Sequence, residues 1–116
     1  MTITVEAFTG TETVGTTEHS MTTDTAGPDV DTTAGVFQAF LDLNALAAGD
    51  EFVFKVYEKV RTGDTQRLVY TATFAGAQAT PIWVSPSLIL GVGWDMTLDK
   101  IAGTDRAINW RISRVS

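Results

Sequence analysis

The fold is decided by Glu51-Phe-Val-Phe-Lys-Val-Tyr-Glu-Lys-Val-Arg61, which is followed by Thr62-Gly-Asp-Thr65 and then by Gln66-Arg-Leu-Val-Tyr-Thr-Ala-Thr-Phe-Ala75. In both long runs, apolar side chains recur at every second position. Such alternation is typical of a β-strand with one buried face, and a Gly-Asp pair between two strands is typical of a hairpin. The stretch therefore predicts a long β-hairpin. The side chains expected on its buried face are Phe52, Phe54, Val56 and Val60 in the first run and Leu68, Tyr70, Ala72 and Phe74 in the second.

Shorter alternating runs recur along the rest of the chain. They lie at residues 2–8, 36–43, 94–101 and 106–114, and short apolar runs lie at 81–84 and 87–90. Almost no helical periodicity is present, and Gly, Pro and Asp separate the runs. This pattern predicts an all-β protein, an antiparallel β-sandwich of seven to eight strands with a jelly-roll-like arrangement.

The N-terminal region has a different composition. Ten of the 25 residues from 9 to 33 are Thr, and the sizeable apolar side chains there are Val14, Met21 and Val30. Because this region lacks an apolar face, we expect residues 1–34 to form an N-terminal strand and an extended Thr-rich arm, and residues 35–116 to form the sandwich domain. An edge strand near residues 11–17 is the one regular element expected within the arm. Arms of this kind order on a partner, so residues 1–33 are expected to reach onto a neighbouring subunit.

Composition excludes several classes of function. The chain of 116 residues contains no Cys, which removes disulfides, thiolate metal sites and cysteine nucleophiles. The net charge is −6; residues 1–54 hold nine acidic residues and no Lys or Arg, whereas residues 55–116 hold five acidic and all eight basic residues. This polarity either attracts neighbouring copies head to tail or averages out on the folded surface. The dispersed basic residues argue against a nucleic-acid partner, and neither a secretory signal nor a membrane span is expected.

The side chains that could carry chemistry have a simpler structural interpretation. His19 is the one histidine and lies in the Thr-rich region, where a rigid catalytic relay is not expected. Loop residues Asp24, Asp29 and Asp31 offer oxygen ligands for calcium, but their spacing does not match a calcium loop, and a solvated acidic loop is favoured. Asp95 and Asp99 on one strand could form the carboxylate pair of a glycosidase. Because they alternate with apolar residues, the favoured interpretation is that they lie on the solvent-facing side of an amphipathic strand. We therefore expect no enzyme, no catalytic residue, no cofactor and no metal site.

The tryptophans and the exposed apolar side chains point instead to contacts. Trp94 and Trp110 share the parity of apolar neighbours and are expected in the core, whereas Trp83 lies on a short strand between prolines and is the best candidate for an exposed aromatic. An oligomer contact at this sheet edge would also protect it from aggregation. The residues expected at an interface are Trp83, Ile82, Leu88, Ile89, Val14 and Met21.

Several short motifs carry a resemblance to a known group of proteins. They are Asp42-Leu-Asn-Ala-Leu-Ala-Ala-Gly-Asp50, Val56-Tyr-Glu-Lys-Val60, Ser85-Pro-Ser-Leu88, Gly93-Trp-Asp-Met-Thr-Leu98 and Gly103-Thr-Asp-Arg106. Over residues 35–115 the chain resembles small β-sandwich proteins of tailed-bacteriophage structural gene clusters, of the head-decoration or cement type. No binding residue of that group is carried over onto this chain.

The resemblance implies a non-enzymatic protein of the virion, made in the host cytoplasm and located on the capsid surface. Its expected partner is the major capsid protein, and its expected form is a homo-oligomer, often a trimer, that bridges capsid subunits. The alternative is a carbohydrate- or receptor-binding β-sandwich module of a phage fibre or tail, which would need an exposed aromatic platform.

Overall fold

A computed structural model describes all 116 residues, which form ten β-strands and no helix. The strands are β1 (Ile3–Val14), β2 (His19–Ser20), β3 (Thr25–Ala26), β4 (Gly35–Asp42), β5 (Glu51–Glu58), β6 (Arg67–Ala75), β7 (Ile82–Val84), β8 (Leu88–Leu90), β9 (Asp95–Ala102) and β10 (Arg106–Val115). No segment of the chain forms a helix long and apolar enough to cross a bilayer.

The strands form two antiparallel sheets of five strands each. In sheet A the order is β1-β10-β4-β7, with β8 also paired to β4; in sheet B the order is β3-β2-β9-β5-β6. The predicted all-β sandwich is confirmed. The number of strands exceeds the expected seven to eight because four of the ten are only two or three residues long.

The predicted hairpin is formed by β5 and β6. Phe52 pairs with Phe74, and Val56 pairs with Tyr70, so the buried face begins as the alternation predicts. A bulge between Val56 and Tyr57 then shifts the register. Beyond the bulge, Leu68 is half exposed and Val60 is almost fully exposed, so these two residues do not continue the buried face.

The core lies between the two sheets and is built from alternate residues of the central strands. Its centre is Trp94, whose ring lies 4.3 Å from that of Phe37 and meets that of Phe8 edge-on at 5.7 Å. Aromatic pairs of this geometry stabilise a core beyond the area that they bury. The fully buried side chains of the central strands include Phe37, Ala39, Leu41, Phe52, Phe54, Val56, Met96, Leu98, Ile108 and Ile112.

The N-terminal region is part of the sandwich and not an extended arm, which corrects the expected division at residue 34. Strand β1 pairs with β10 from Ile3 to Val14, and β2 pairs with β9. β-Branched Thr suits a strand, and the apolar face that the segment lacks is supplied by β10 across the ladder. Val14 and Met21 are each 1% exposed and belong to the core.

The rest of this region, residues 20–33, covers one end of the outer face of sheet B. Asp95 and Thr97 are fully buried there, although their parity on β9 predicts a solvent-facing position. Oδ1 of Asp95 accepts a hydrogen bond from Thr22 at 2.8 Å, and Oδ2 accepts one from the backbone N–H of Asp29 at 2.8 Å. Burial raises the pKa of the Asp95 carboxyl, and these bonds partly oppose that rise.

Candidate interaction surface

A broad, largely apolar surface of the molecule is the outer face of sheet A. On β4 and β10 the odd-numbered and even-numbered residues, respectively, point into the core, so the intervening residues point outward. The outward residues of these central strands are Val36, Gln38, Phe40 and Asp42 on β4 and Asn109, Arg111, Ser113 and Val115 on β10. The flanking strands add Ile3 and Val5 from β1, Ile82 and Val84 from β7, and Ile89 from β8. We call this whole set the outer face of sheet A.

An aliphatic row crosses one end of this face. The ladder pairs Ile3 with Val115, Val115 with Val36, and Val36 with Ile89. Side chains directly opposite one another in a ladder are neighbours on one face of the sheet. The row therefore presents four adjacent aliphatic side chains, and its two ends are open to solvent, with Ile3 61% and Ile89 85% exposed.

The middle of the face is occupied by a cation–π pair. The guanidinium carbon of Arg111 lies 3.9 Å from the centre of the Phe40 ring. Both residues line two depressions, one of about 230 Å³ toward the aliphatic row and one of about 460 Å³ toward Ile82. The Nε atom of Arg111 is buried and has no hydrogen-bond partner in the chain.

This face is nearly neutral in an acidic protein. The chain has fourteen acidic residues, yet the outward positions of β4 and β10 carry one acid, Asp42, and one base, Arg111. Depletion of charge together with exposed aliphatic and aromatic side chains is the composition found at the centre of protein contacts. The composition of this face is therefore suited to contact with another protein surface.

The structure brings two of the expected interface residues onto this face. Ile82 and Ile89 are exposed on it, as described above. Trp83 instead points inward and packs on Phe54 and Phe74, with ring centres 5.2 and 5.0 Å apart. Leu88 is likewise half-buried against the core.

The side chains of Val14 and Met21 are buried. Both are core residues because the N-terminal region folds into the sandwich, so neither is available to a partner in this structure. Successive side chains of a strand point to opposite faces of the sheet, which explains why Trp83 faces the core while its neighbour Ile82 faces outward.

Several residues of the face were not anticipated from the sequence. They are Ile3, Val5, Val36, Phe40, Val84 and Val115. One signal in the sequence points to two of them, Val36 and Phe40: the run Val36-Phe-Gln-Ala-Phe-Leu41 is apolar on both parities, with Gln38 as its single polar residue. A strand that is apolar on both sides is expected to be covered on both sides.

The imidazole ring of His19 lies between two carboxylates. Its Nε2 lies 2.7 Å from Oδ1 of Asp24 and its Nδ1 lies 3.3 Å from Oε2 of Glu12, so both ring nitrogens face carboxylates. The ring also meets Trp110 edge-on at 5.4 Å and is 7% exposed. A general base needs a nitrogen directed at a substrate. The geometry instead makes His19 a link between β1 and the loop that follows β2.

A polar groove of about 360 Å³ lies beside His19. Its lining includes the side chains of Glu12, Thr13, Thr16, Thr17 and Asp105. Lys100 already pairs with Asp105, with 2.5 Å between Nζ and Oδ1.

A second set of polar side chains lies on the outer face of sheet B. The Tyr57 hydroxyl donates to Oε2 of Glu18 at 2.6 Å, and Lys55 lies 3.6 Å from Oδ1 of Asp99. Loss of solvent, followed by the nearby Glu18 carboxylate, raises the pKa of Tyr57 above its ordinary range, and burial raises that of Asp99. These shifts arise from a hydrogen-bonded sheet surface and not from a cleft. No group of three or more His, Asp or Glu side chains is arranged to hold a metal ion.

No protein-family model, curated protein or solved structure matches this chain.

Proposed function

We propose that this chain is a non-enzymatic structural protein of a phage virion. It decorates the head shell as a homo-oligomer, binds the major capsid protein at the capsid surface and stabilises the shell. The observation that carries the proposal is the outer face of sheet A: a wide, nearly neutral apolar surface on an acidic chain.

The topology supports the proposal by analogy. With β3 left aside as an edge strand that pairs with β2, and with β7 and β8 counted as one strand, the first strand pairs with the last, the second with the seventh, the third with the sixth and the fourth with the fifth. This is the pairing expected of a jelly roll, an architecture that recurs in viral capsid and lectin domains. One fold hosts many functions, so the jelly-roll pairing alone does not indicate what the protein does. The proposed role in binding rests on the outer face of sheet A.

The stiffness of the domain suits a protein that clamps a shell. Both chain termini are held in sheet A, where the backbone N–H groups of Thr2 and Ser116 each donate to the carbonyl of the other at 3.0 Å. A rigid sandwich loses little conformational entropy when it binds, so more of its contact energy is available to the complex.

Co-expression with the major capsid protein of the same gene cluster tests the proposal. Shells purified on a gradient are expected to retain this chain in a fixed ratio to the capsid protein, and decorated shells are expected to disrupt at a higher temperature than bare shells. An unrelated β-sandwich of similar size and charge is the control. Absence of the chain from purified shells would contradict the proposal.

The alternative, a glycan- or receptor-binding module, receives less support from the structure. Sugar recognition by a sandwich uses exposed aromatic rings as a stacking platform. All three tryptophans point inward, and Trp94 and Trp110 are buried. A rise in melting temperature with a panel of bacterial surface glycans would favour this alternative over capsid decoration.

A further inference from the structure

We infer that the outer face of sheet A is the contact between copies of this chain, so that its occupant is a second copy. The inference rests on the proposed function, in which the chain acts as an oligomer, and it assigns that oligomer a surface. It goes beyond the sequence expectation, which placed the contact around Trp83 and in the N-terminal region.

The exposed aliphatic side chains are concentrated on this face. Five of the eleven large apolar residues that remain exposed in the chain belong to it: Ile3, Val5, Ile82, Val84 and Ile89. Scattered apolar residues are normal on a protein surface, but a contiguous patch marks a contact site. The patch extends from β1 across the sheet to β8, from one edge of the sheet to the other.

The area is sufficient for a specific contact. Four strands about 4.8 Å apart and about eight residues of about 3.3 Å each give a face of roughly 500 Å². Two such faces in contact bury roughly 1,000 Å², which is the lower bound for a specific protein interface. Contacts at this end of the size range are weak or transient, so the oligomer is expected at high protein concentration.

The charge distribution favours a second copy over an unrelated acidic or basic partner. Two chains of net charge −6 repel one another over most of their surfaces. On the outer face of sheet A that repulsion is small, because Asp42 and Arg111 lie diagonally across the ladder and offset each other. A strongly charged partner would gain nothing from this face.

Light scattering after size exclusion tests the inference on the full chain. At a protein concentration of about 100 µM, at which a micromolar contact is saturated, the wild type is expected to elute with at least twice its mass of 12.5 kDa. The variant Ile89→Asp is expected to reduce the mass to that of a monomer. Val60→Asp is the matched control, because Val60 is 90% exposed but lies in the β5–β6 connection, and it is expected to leave the mass unchanged.

A second variant shows whether the change in mass is limited to a disturbance of β8. Ile3→Asp, at the opposite end of the aliphatic row, is expected to lower the mass in the same way. Melting temperatures identify any variant that fails to fold, and both positions are exposed enough for folding to survive. A monomeric wild type, or folded Ile89→Asp and Ile3→Asp variants with the wild-type mass, would overturn the inference.

Shell binding separates this inference from the proposed function. A monomer that still binds shells would overturn the assigned contact and leave decoration intact. An oligomer that depends on Ile89 but does not bind shells would support the contact and contradict decoration.

Discussion

The backbone N–H of Asp29 donates a hydrogen bond of 2.8 Å to Oδ2 of Asp95, which lies 66 residues away on β9. This bond fastens the Thr-rich region to sheet B. Oδ1 of the same carboxylate accepts from Thr22 and from the backbone N–H of Met96, so one buried side chain satisfies three donors. The region that composition predicts to be a free arm is therefore held in place by polar contacts from the sandwich.

Replacement of Asp95 is expected to release this region. Asp95→Ala leaves three donors without a partner in a buried site, and each such loss costs about 1–3 kcal/mol; the cost of burying the carboxylate offsets part of the total. We expect a lower free energy of unfolding in urea and faster proteolysis within residues 21–33. The control Asp64→Ala removes an exposed ion pair with Arg61 and is expected to change stability by less than about 0.5 kcal/mol. Equal stability of Asp95→Ala and wild type would show that the bonds do not hold the segment.

Asp50 predicts a specific pH dependence of stability. It accepts hydrogen bonds from the backbone N–H groups of Thr104 and Ala47 and from Nε of Arg106, and these bonds lower the pKa of its carboxyl to about 2. Because the folded-state pKa lies below the unfolded value of about 3.9, the contribution of Asp50 is complete above pH of about 4 and is lost as the pH falls toward 2.

Asp50→Asn isolates this contribution. The variant is expected to melt at a lower temperature than wild type at neutral pH, and the gap is expected to narrow between pH 4 and 2. Asp95 and Asp99 have raised pKa values and so act in the opposite direction, but both are present in the two proteins that are compared. If the difference in melting temperature between wild type and Asp50→Asn is the same at every pH from 4 to 2, the pH dependence does not come from Asp50.

Trp83 and Ile82 provide a test of which side of β7 faces a partner. Trp83→Ala removes an indole that packs on two core aromatics, and we expect a loss of about 2–3 kcal/mol in stability with an unchanged oligomer mass. Ile82→Ala is the matched variant, because Ile82 precedes Trp83 and faces outward; it is expected to weaken the oligomer more than the fold. If Trp83→Ala instead lowers the oligomer mass and Ile82→Ala does not, Trp83 and not Ile82 lies at the interface.

Gly10 allows β1 to lie close to Trp110. A Cβ at this position would overlap the indole ring, whose Nε1 donates to the carbonyl of Met21 at 3.2 Å. Gly10→Val is therefore expected to displace β1 and to lower stability by about 1–3 kcal/mol, with faster hydrogen exchange in β1. Thr11→Val, at an exposed neighbour on the same strand, is expected to be nearly neutral; a similar loss in both variants would show that the overlap with Trp110 is not the cause.

Local alternation was sufficient to predict the hairpin and the inward faces of β4 and β10. Phe37, Leu41, Ile108 and Ile112 are buried where their parity places them, because the side-chain period of a strand is set by the backbone itself. The bulge after Val56 was not visible in the sequence, since a bulge depends on how the partner strand is aligned.

The position of the N-terminal region required long-range information. Ile3 pairs with Val115 across almost the whole chain, and the cover over Asp95 comes from residues far away in sequence. A Thr-rich strand with few apolar residues is stable only when a distant strand supplies the packing. The outer face of sheet A was missed because each of its strands also contributes residues to the core on its other side, and the alternation of those core residues dominates the pattern.

The most direct test of the whole account is co-sedimentation of the purified chain with empty shells of the major capsid protein from its own gene cluster. If the chain decorates capsids, it is expected to bind saturably, with a fixed number of chains per capsid subunit, and to raise the temperature at which the shells disrupt. Shells that sediment without the chain at a saturating concentration, and that disrupt at the same temperature with or without it, would contradict the account.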